Sequence, residues 1–185
     1  LTNASALREK LVSRGSIFQS TSDTETILQL VAQSERKQIV DKLIDALFQI
    51  HGAYSLVILT NKKLIGVRDP YGIRPLVLGD LNGAPVLASE SCALDIIGAK
   101  FVREIENGEI IIISEKGMES IKPFPKVAER PCIFERIYFS RPDSMLGGNT
   151  VYSYRKNLGI ELAKEHYVDC LLYTSDAADD CGSVD

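Results

Sequence analysis

Eight residues, Arg68-Asp69-Pro70-Tyr71-Gly72-Ile73-Arg74-Pro75, set two guanidinium groups, a carboxylate, two prolines and a glycine just before the apolar run Leu76-Val77-Leu78. Gly72 permits a positive φ, while Pro70 and Pro75 restrict the backbone on either side. Arg68 and Asp69 can pair with each other or with loop carbonyls. Arg74 can be read as a phosphate ligand or as part of a rigid scaffold. A second group is Ser22-Asp23-Thr24-Glu25. Its spacing predicts a capping box, with Ser22 accepting from the Glu25 amide and Glu25 reaching back. Asp23 then lies in the first turn of a helix, where a carboxylate favours the macrodipole and is also free to bind a cation. Thiol chemistry rests on Cys92, Cys132, Cys170 and Cys181, which are scattered and form no close pair. Arg141-Pro142-Asp143-Ser144 reads either as a structured turn or as part of a working site.

The chain that carries these groups has 185 residues, 45% of them hydrophobic, with a mean hydropathy of +0.01, the profile of a globular protein able to bury a core. Lys and Arg total 21 against 25 Asp and Glu, a net charge of −4. No basic stripe appears, which argues against nucleic acid as a partner. Apolar runs such as Ile110 to Ile113 are far shorter than the roughly 20 residues of a membrane span. Scattered cysteines at this length argue against a disulfide framework and for a reducing, cytoplasmic setting. No signal peptide opens the chain, and Leu1 in place of Met is read as a missing start.

The periodicity predicts helices over Thr2 to Val12, over the segment after Ser22 carrying Ile27, Leu28, Leu30 and Val31, and over Ile39, Leu43, Leu47 and Ile50. Strands follow at Tyr54 to Thr60, Leu64 to Val67, Leu76 to Asp80 and Pro85 to Ser89, the last two joined by an Asn82-Gly83 turn. A short helix at Ser91 to Ile97 precedes strands at Glu109 to Ser114 and Met118 to Ile121. Helices segregated from an antiparallel sheet make an α+β layered domain. Lys122 to Pro131 reads as a linker, Cys132 to Phe139 as a new apolar segment, and Val151 to His166 as a further helix. From Cys170 the chain turns small and acidic, CLLYTSDAADDCGSVD, and is expected to be a disordered or foreign end.

Six stretches carry a family resemblance: STSDTETI (Ser20 to Ile27), GAYSLV (Gly52 to Val57), RDPYGIRPL (Arg68 to Leu76), ASE (Ala88 to Glu90), FERIYFSRPDS (Phe134 to Ser144) and VYSYRKNLG (Val151 to Gly159). Through them the chain resembles the amidophosphoribosyltransferases from about Leu1 to Asp169. The first four stretches occur across class II glutamine amidotransferases; the last two are particular to this family. The resemblance implies an N-terminal-nucleophile-hydrolase-like αββα sandwich, incomplete at its N-terminus, over residues 1–124. It implies a linker and the start of an α/β phosphoribosyltransferase domain over 125–169, with 170–185 left as an unmatched tail.

The reaction implied is formation of 5-phosphoribosylamine from phosphoribosyl pyrophosphate and glutamine, the first committed step of purine synthesis. An N-terminal cysteine would attack the glutamine amide with its own amine as base, assisted by oxyanion donors. By the same resemblance nucleophile and donors precede Leu1, so no catalytic residue is assigned here and the chain alone is expected to be inactive. Asp23 matches the residue that binds the α-amino group of glutamine. Cys132 stands where some members hold a [4Fe-4S] cluster and others carry an ordinary thiol. Cys92 is read as a small buried hydrophobe. The RDPYGIRPL loop is implied to be a rigid element packed beside the glutamine site, not a catalytic group, and Arg141 to Ser144 to lie near the passage for ammonia. Mg2+ would serve a transferase site outside these residues, and the parent protein is expected to be a homo-oligomer. Two alternatives stand beside this reading: another class II amidotransferase, forming hexosamine or asparagine, and a non-catalytic glutaminase-like binding or regulatory module.

Overall fold

The computed structural model describes residues 1–167, so the expectations for the tail after Asp169, with Cys170 and Cys181, lie outside the described residues. Three helices come first: α1 (Ala4–Ser13), α2 (Asp23–Gln33) and α3 (Ile39–Leu47). Four strands follow, β1 (Ser55–Leu59), β2 (Lys63–Arg68), β3 (Val77–Leu81) and β4 (Ala84–Ala88), then α4 (Ser91–Ile96) and β5 (Lys100–Glu104). Strands β6 (Ile110–Ser114) and β7 (Gly117–Ile121) complete two antiparallel sheets, ordered β1-β2-β6-β7 and β4-β3-β5.

Period-two alternation sorts the side chains of each sheet between two faces. Ile65, Val67, Ile110 and Ile112 pack with Leu7, Leu11, Ile27, Leu30, Leu43 and Leu47 of the three leading helices. Ile111, one residue out of phase, packs instead with Leu76, Leu78 and Ile105 between the sheets. On the far face of the second sheet Val77 packs with Leu94 of α4. The layers therefore run helix, sheet, sheet, helix, as the resemblance implied. Two glycines let them approach: a Cβ on Gly66 would come within 2.8 Å of Leu87, and one on Gly79 within 2.6 Å of Leu94.

Several expectations are corrected. Ser22 caps α2 through the Thr24 amide (3.2 Å), not that of Glu25. Glu25 reaches past Ser22 to accept from the amides of Gln19 (2.7 Å) and Ser20 (2.8 Å) and from the Ser20 hydroxyl (2.6 Å). Those bonds, the Ser20 hydroxyl foremost, hold its carboxyl below the usual range. Leu28 is 58% exposed, because it falls on the outer side of α2. Strand β5 was not expected from the sequence; Phe101 and Val102 are exposed on it, so it lacks a buried period-two face. The Asn82-Gly83 turn forms as anticipated, with φ of 53° and 89°.

Beyond β7 the chain has no regular element until a π-helical turn at Glu135–Phe139, followed by a small hairpin of β8 (Met145–Leu146) and β9 (Asn149–Thr150) and by α5 (Val151–Glu165). Phe124 pins the segment before the turn, lying 5.2 Å from Phe48 between ring centroids. The expected apolar segment after Cys132 is only partly packed, for Phe134, Ile137, Tyr138 and Phe139 remain exposed.

Candidate functional site: the cleft of Asp23

The leading helices place Asp23 at the first residue of α2, with its carboxylate half-exposed. A cleft of about 390 Å3 opens beside it, lined by Thr24, Tyr54, Ser55, Arg74 and Ser89 over an apolar floor including Ile27 and Leu76. That volume is within the ~300–1,000 Å3 usual for small-molecule sites. A second cleft, about 550 Å3, lies on the other side of the Arg68 loop. Its charges are mixed, with Lys122, Lys126 and Arg136 facing Glu104, Glu106 and Glu129, and its Arg68 is already committed to backbone carbonyls.

Those commitments explain the loop. Arg68 donates from Nε to Arg74 O (3.0 Å), from Nη1 to Ile105 O (2.7 Å) and from Nη2 to Gly72 O (3.3 Å). Asp69 accepts from the amides of Tyr71 (2.9 Å) and Ile73 (3.1 Å), and its own amide donates to Tyr54 O (3.0 Å). Burial pushes the Asp69 carboxyl above its usual range against the pull of these amides. Burial, with the Asp69 charge second, raises the Tyr54 hydroxyl as well. Gly72 takes φ +64°, and a Cβ there would fall 1.9 Å from Asn107 Oδ1, so a side chain here would strain the backbone and push Asn107 aside. Arg68 and Asp69 thus bond loop backbone rather than each other.

Arg74 does not wait for a phosphate. Its Nε lies 2.7 Å from Glu135 Oε1, and its guanidinium sits 5.1 Å from the centre of the Phe139 ring. Cys132 is half-buried, with its amide donating to Ile73 O (3.1 Å). Among the described residues no three His, Cys, Asp or Glu side chains come together to hold a metal. Cys92 is buried, as expected, with its thiol 3.6 Å from Glu90 Oε2. Arg141 to Ser144 is a structured turn: Arg141 grips Asp143 through two bonds of 3.0 and 2.9 Å.

Three acids escaped the sequence reading. Glu90 Oε2 accepts from the Arg141 amide (2.9 Å) and the Ser144 hydroxyl (2.7 Å). Glu109 joins Arg103 of β5 (2.6 and 2.8 Å) to Ser120 of β7 (2.6 Å), across both sheets. Glu135 is the third. The available signal was an acidic residue beside or inside an apolar run, as in Glu109-Ile-Ile-Ile-Ile113 and Phe134-Glu135-Arg136-Ile137.

The family described as a glutamine amidotransferase domain matches residues 1–95, just over half of the 185. An amidophosphoribosyltransferase of Rhizobium etli is 53% identical over 173 residues, 91% of this chain and 35% of that protein. The Bacillus subtilis amidophosphoribosyltransferase is 42% identical over 174 residues, 94% of this chain and 37% of its own length. This chain thus spans about a third of the length of such relatives. Its fold superposes with a TM-score of 0.89 and 43% identity on the glutamine phosphoribosylpyrophosphate amidotransferase of B. subtilis solved with ADP and GMP, covering 91% of this chain and 37% of that one. With the layered sheets, the Asp23 cleft and the matched first half in agreement, the chain belongs to the glutamine amidotransferase domain family.

Proposed function

We propose that this chain is the glutamine-binding part of an enzyme that makes 5-phosphoribosylamine from phosphoribosyl pyrophosphate and glutamine. The observation that carries the reading is the half-exposed Asp23 carboxylate lining the cleft at the first residue of α2. A carboxylate there can meet the α-ammonium of a free amino acid and so select free glutamine over a glutamine within a peptide. The polar wall of Tyr54, Ser55 and Ser89 offers hydroxyls to the remainder of the substrate.

Among the described residues no thiol lines this cleft, since Cys92 and Cys132 lie elsewhere. By the family resemblance the attacking nucleophile and the oxyanion donors are assigned to residues outside this sequence, and the chain by itself is expected to release no glutamate. Residues 1–124 would form the glutaminase part, and 125–169 would lead into a phosphoribosyltransferase domain that holds the Mg2+. The Cys132 thiol alone does not fit a [4Fe-4S] cluster, which takes four ligands; a cluster would need three more from outside the described residues. A cytoplasmic, homo-oligomeric parent completes the reading.

The test uses the full-length protein. Asp23→Asn keeps the size of the side chain and leaves the Ser22 cap in place. Losing a charge-assisted bond of about 1.5–3 kcal/mol should raise KM for glutamine by roughly one to two decades. Phosphoribosylamine formation from free ammonia, which bypasses the cleft, should change less than about twofold. Equal loss of both activities would make Asp23 a folding residue and remove the support for this reading.

A further inference from the structure

The loop beside the cleft is tied to itself and to the connection between β5 and β6, and Arg68 Nη1 also lies 3.6 Å from Glu104 Oε2 at the end of β5. Arg68 bonds three carbonyls, Asp69 bonds two loop amides, and Asn107 fills the space beside Gly72. None of these contacts involves the Arg74 side chain. Arg74 turns outward to Glu135, whose side chain is only 4% exposed and whose Oε2 accepts from the Ser140 hydroxyl (3.1 Å). From that turn the contacts continue: Arg155 of α5 donates to Arg136 O (2.9 Å) and Ser140 O (2.8 Å). The backbone adds two further bonds, Arg130 N to Tyr71 O (2.8 Å) and Cys132 N to Ile73 O (3.1 Å). On its other side the same loop lends Arg74, Pro75 and Leu76 to the cleft that holds Asp23.

One short loop is thus both the wall of the cleft and the plate on which the segment after Pro131 docks. Removing one partner of a buried ion pair is costly, because the other is left uncompensated. An apolar contact would serve packing alone at lower cost. We propose that Arg74 and Glu135 form a positioning pair that makes glutamine affinity depend on how the segment from Cys132 to Ser144 is docked. Neither residue is assigned a bond to the reacting atoms. Glu135 fixes the guanidinium, and the guanidinium fixes the cleft wall. This inference rests on the glutamine reading of the cleft.

Steady-state kinetics of the full-length protein test it. Glu135→Gln keeps the shape and an acceptor for Ser140 but gives up the charge facing Arg74. KM for glutamine should rise roughly five- to tenfold, less than for a direct charge-assisted bond to the substrate, because the pair acts only through the cleft wall. The ammonia-supported rate and the thermal midpoint should stay near wild type. Arg74→Gln should raise KM similarly, and the double variant should be no worse than the worse single, as expected for two residues acting as one unit. If Glu135→Gln fails to fold, Arg74→Lys keeps the charge but loses the planar stacked geometry, and should show a smaller rise in KM. Unchanged KM in the folded variants, additive effects, or an equal fall in the ammonia rate would each overturn the pair. A wild-type protein with no glutamine-dependent activity would instead overturn the glutamine reading and the pair with it.

Discussion

Between α1 and β7 the buried residues are mostly apolar, and Ile65, Ile105, Ile110 and Ile111 are wholly enclosed. Between Cys132 and Tyr167 four residues are buried, Glu135, Ser140, Ser144 and Val151, and three of them are polar. The apolar side chains of that second region, among them Phe134, Tyr138, Leu158 and Leu162, face outward. Hydrophobic burial therefore holds the sandwich, while carboxylates and backbone bonds hold the segment that follows. Apolar burial is non-directional and strong in sum. A carboxylate accepting from a specific hydroxyl or amide fixes position with little area. Within the described residues, then, the sandwich is held by area and the second region by a few directed polar bonds.

Breaking the sandwich should have the largest effect. Ile111→Ala removes three carbons from the seam with Leu76, Leu78 and Ile105. Such truncations cost about 2–5 kcal/mol, a large part of the ~5–15 kcal/mol that a domain has. A matching truncation on α5, Leu158→Ala, removes a 44%-exposed side chain and should cost less than about 0.5 kcal/mol. Chemical denaturation followed by circular dichroism measures both. Similar costs at the two sites would erase the contrast.

Glu109 sharpens it, being a polar clamp inside the apolar region. Burial raises its carboxyl, but the Arg103 guanidinium, the Ser120 hydroxyl and the Glu106 amide outweigh that and hold it at about 2 against an ordinary 4.5. A depressed carboxyl stabilises fully above its unfolded value, and that stabilisation is lost as pH falls towards the folded value. Here the window runs from about 4.5 down to about 2, and the amount is on the order of 3 kcal/mol. Glu109→Gln should lose most of this at neutral pH and show a flatter acid limb across that window. An acid limb as steep as wild type would assign the loss to other carboxylates.

The sandwich was legible in the sequence and the docking was not, for a physical reason. Alternating apolar residues in Leu64 to Val67, the apolar run of Ile110 to Ile113, and the Asn82-Gly83 turn report the sheets directly, since period and turn chemistry are local. Strand β5 lacked that signal because its Phe101 and Val102 are exposed; pairing with β3 alone makes it a strand. The Ser22 cap was correctly located, but the partner of Glu25 was not, because the chain before Ser22 folds back within its reach. Asp23 opens α2 as its spacing predicts, and the Arg68 loop is rigid because Arg68 and Asp69 bond backbone groups. Glu90 and Glu135 were not, because their partners, Ser144 and Arg74, stand 54 and 61 positions away and no local pattern joins such pairs.

The smallest effect should come from the docking itself. Glu90 accepts from the Arg141 amide and the Ser144 hydroxyl, and the neighbouring Ser91 hydroxyl accepts from the Met145 amide (2.8 Å). Glu90→Gln keeps an acceptor oxygen but removes the charge, so the two bonds weaken rather than vanish, by about 1 kcal/mol in total. The sandwich has its own core and should melt within a few degrees of wild type. The turn from Ser140 to Met145 should open more often, seen as faster amide exchange at Arg141 and Met145 while the amides of β2 and β6 stay protected. Asp143→Asn provides the control. The Arg141–Asp143 pair is more than half exposed on both sides and is screened by water, so exchange in the turn should barely change. Were Asp143→Asn to open the turn as much as Glu90→Gln, the turn's own ion pair would hold it, and the anchor on Glu90 would be incidental.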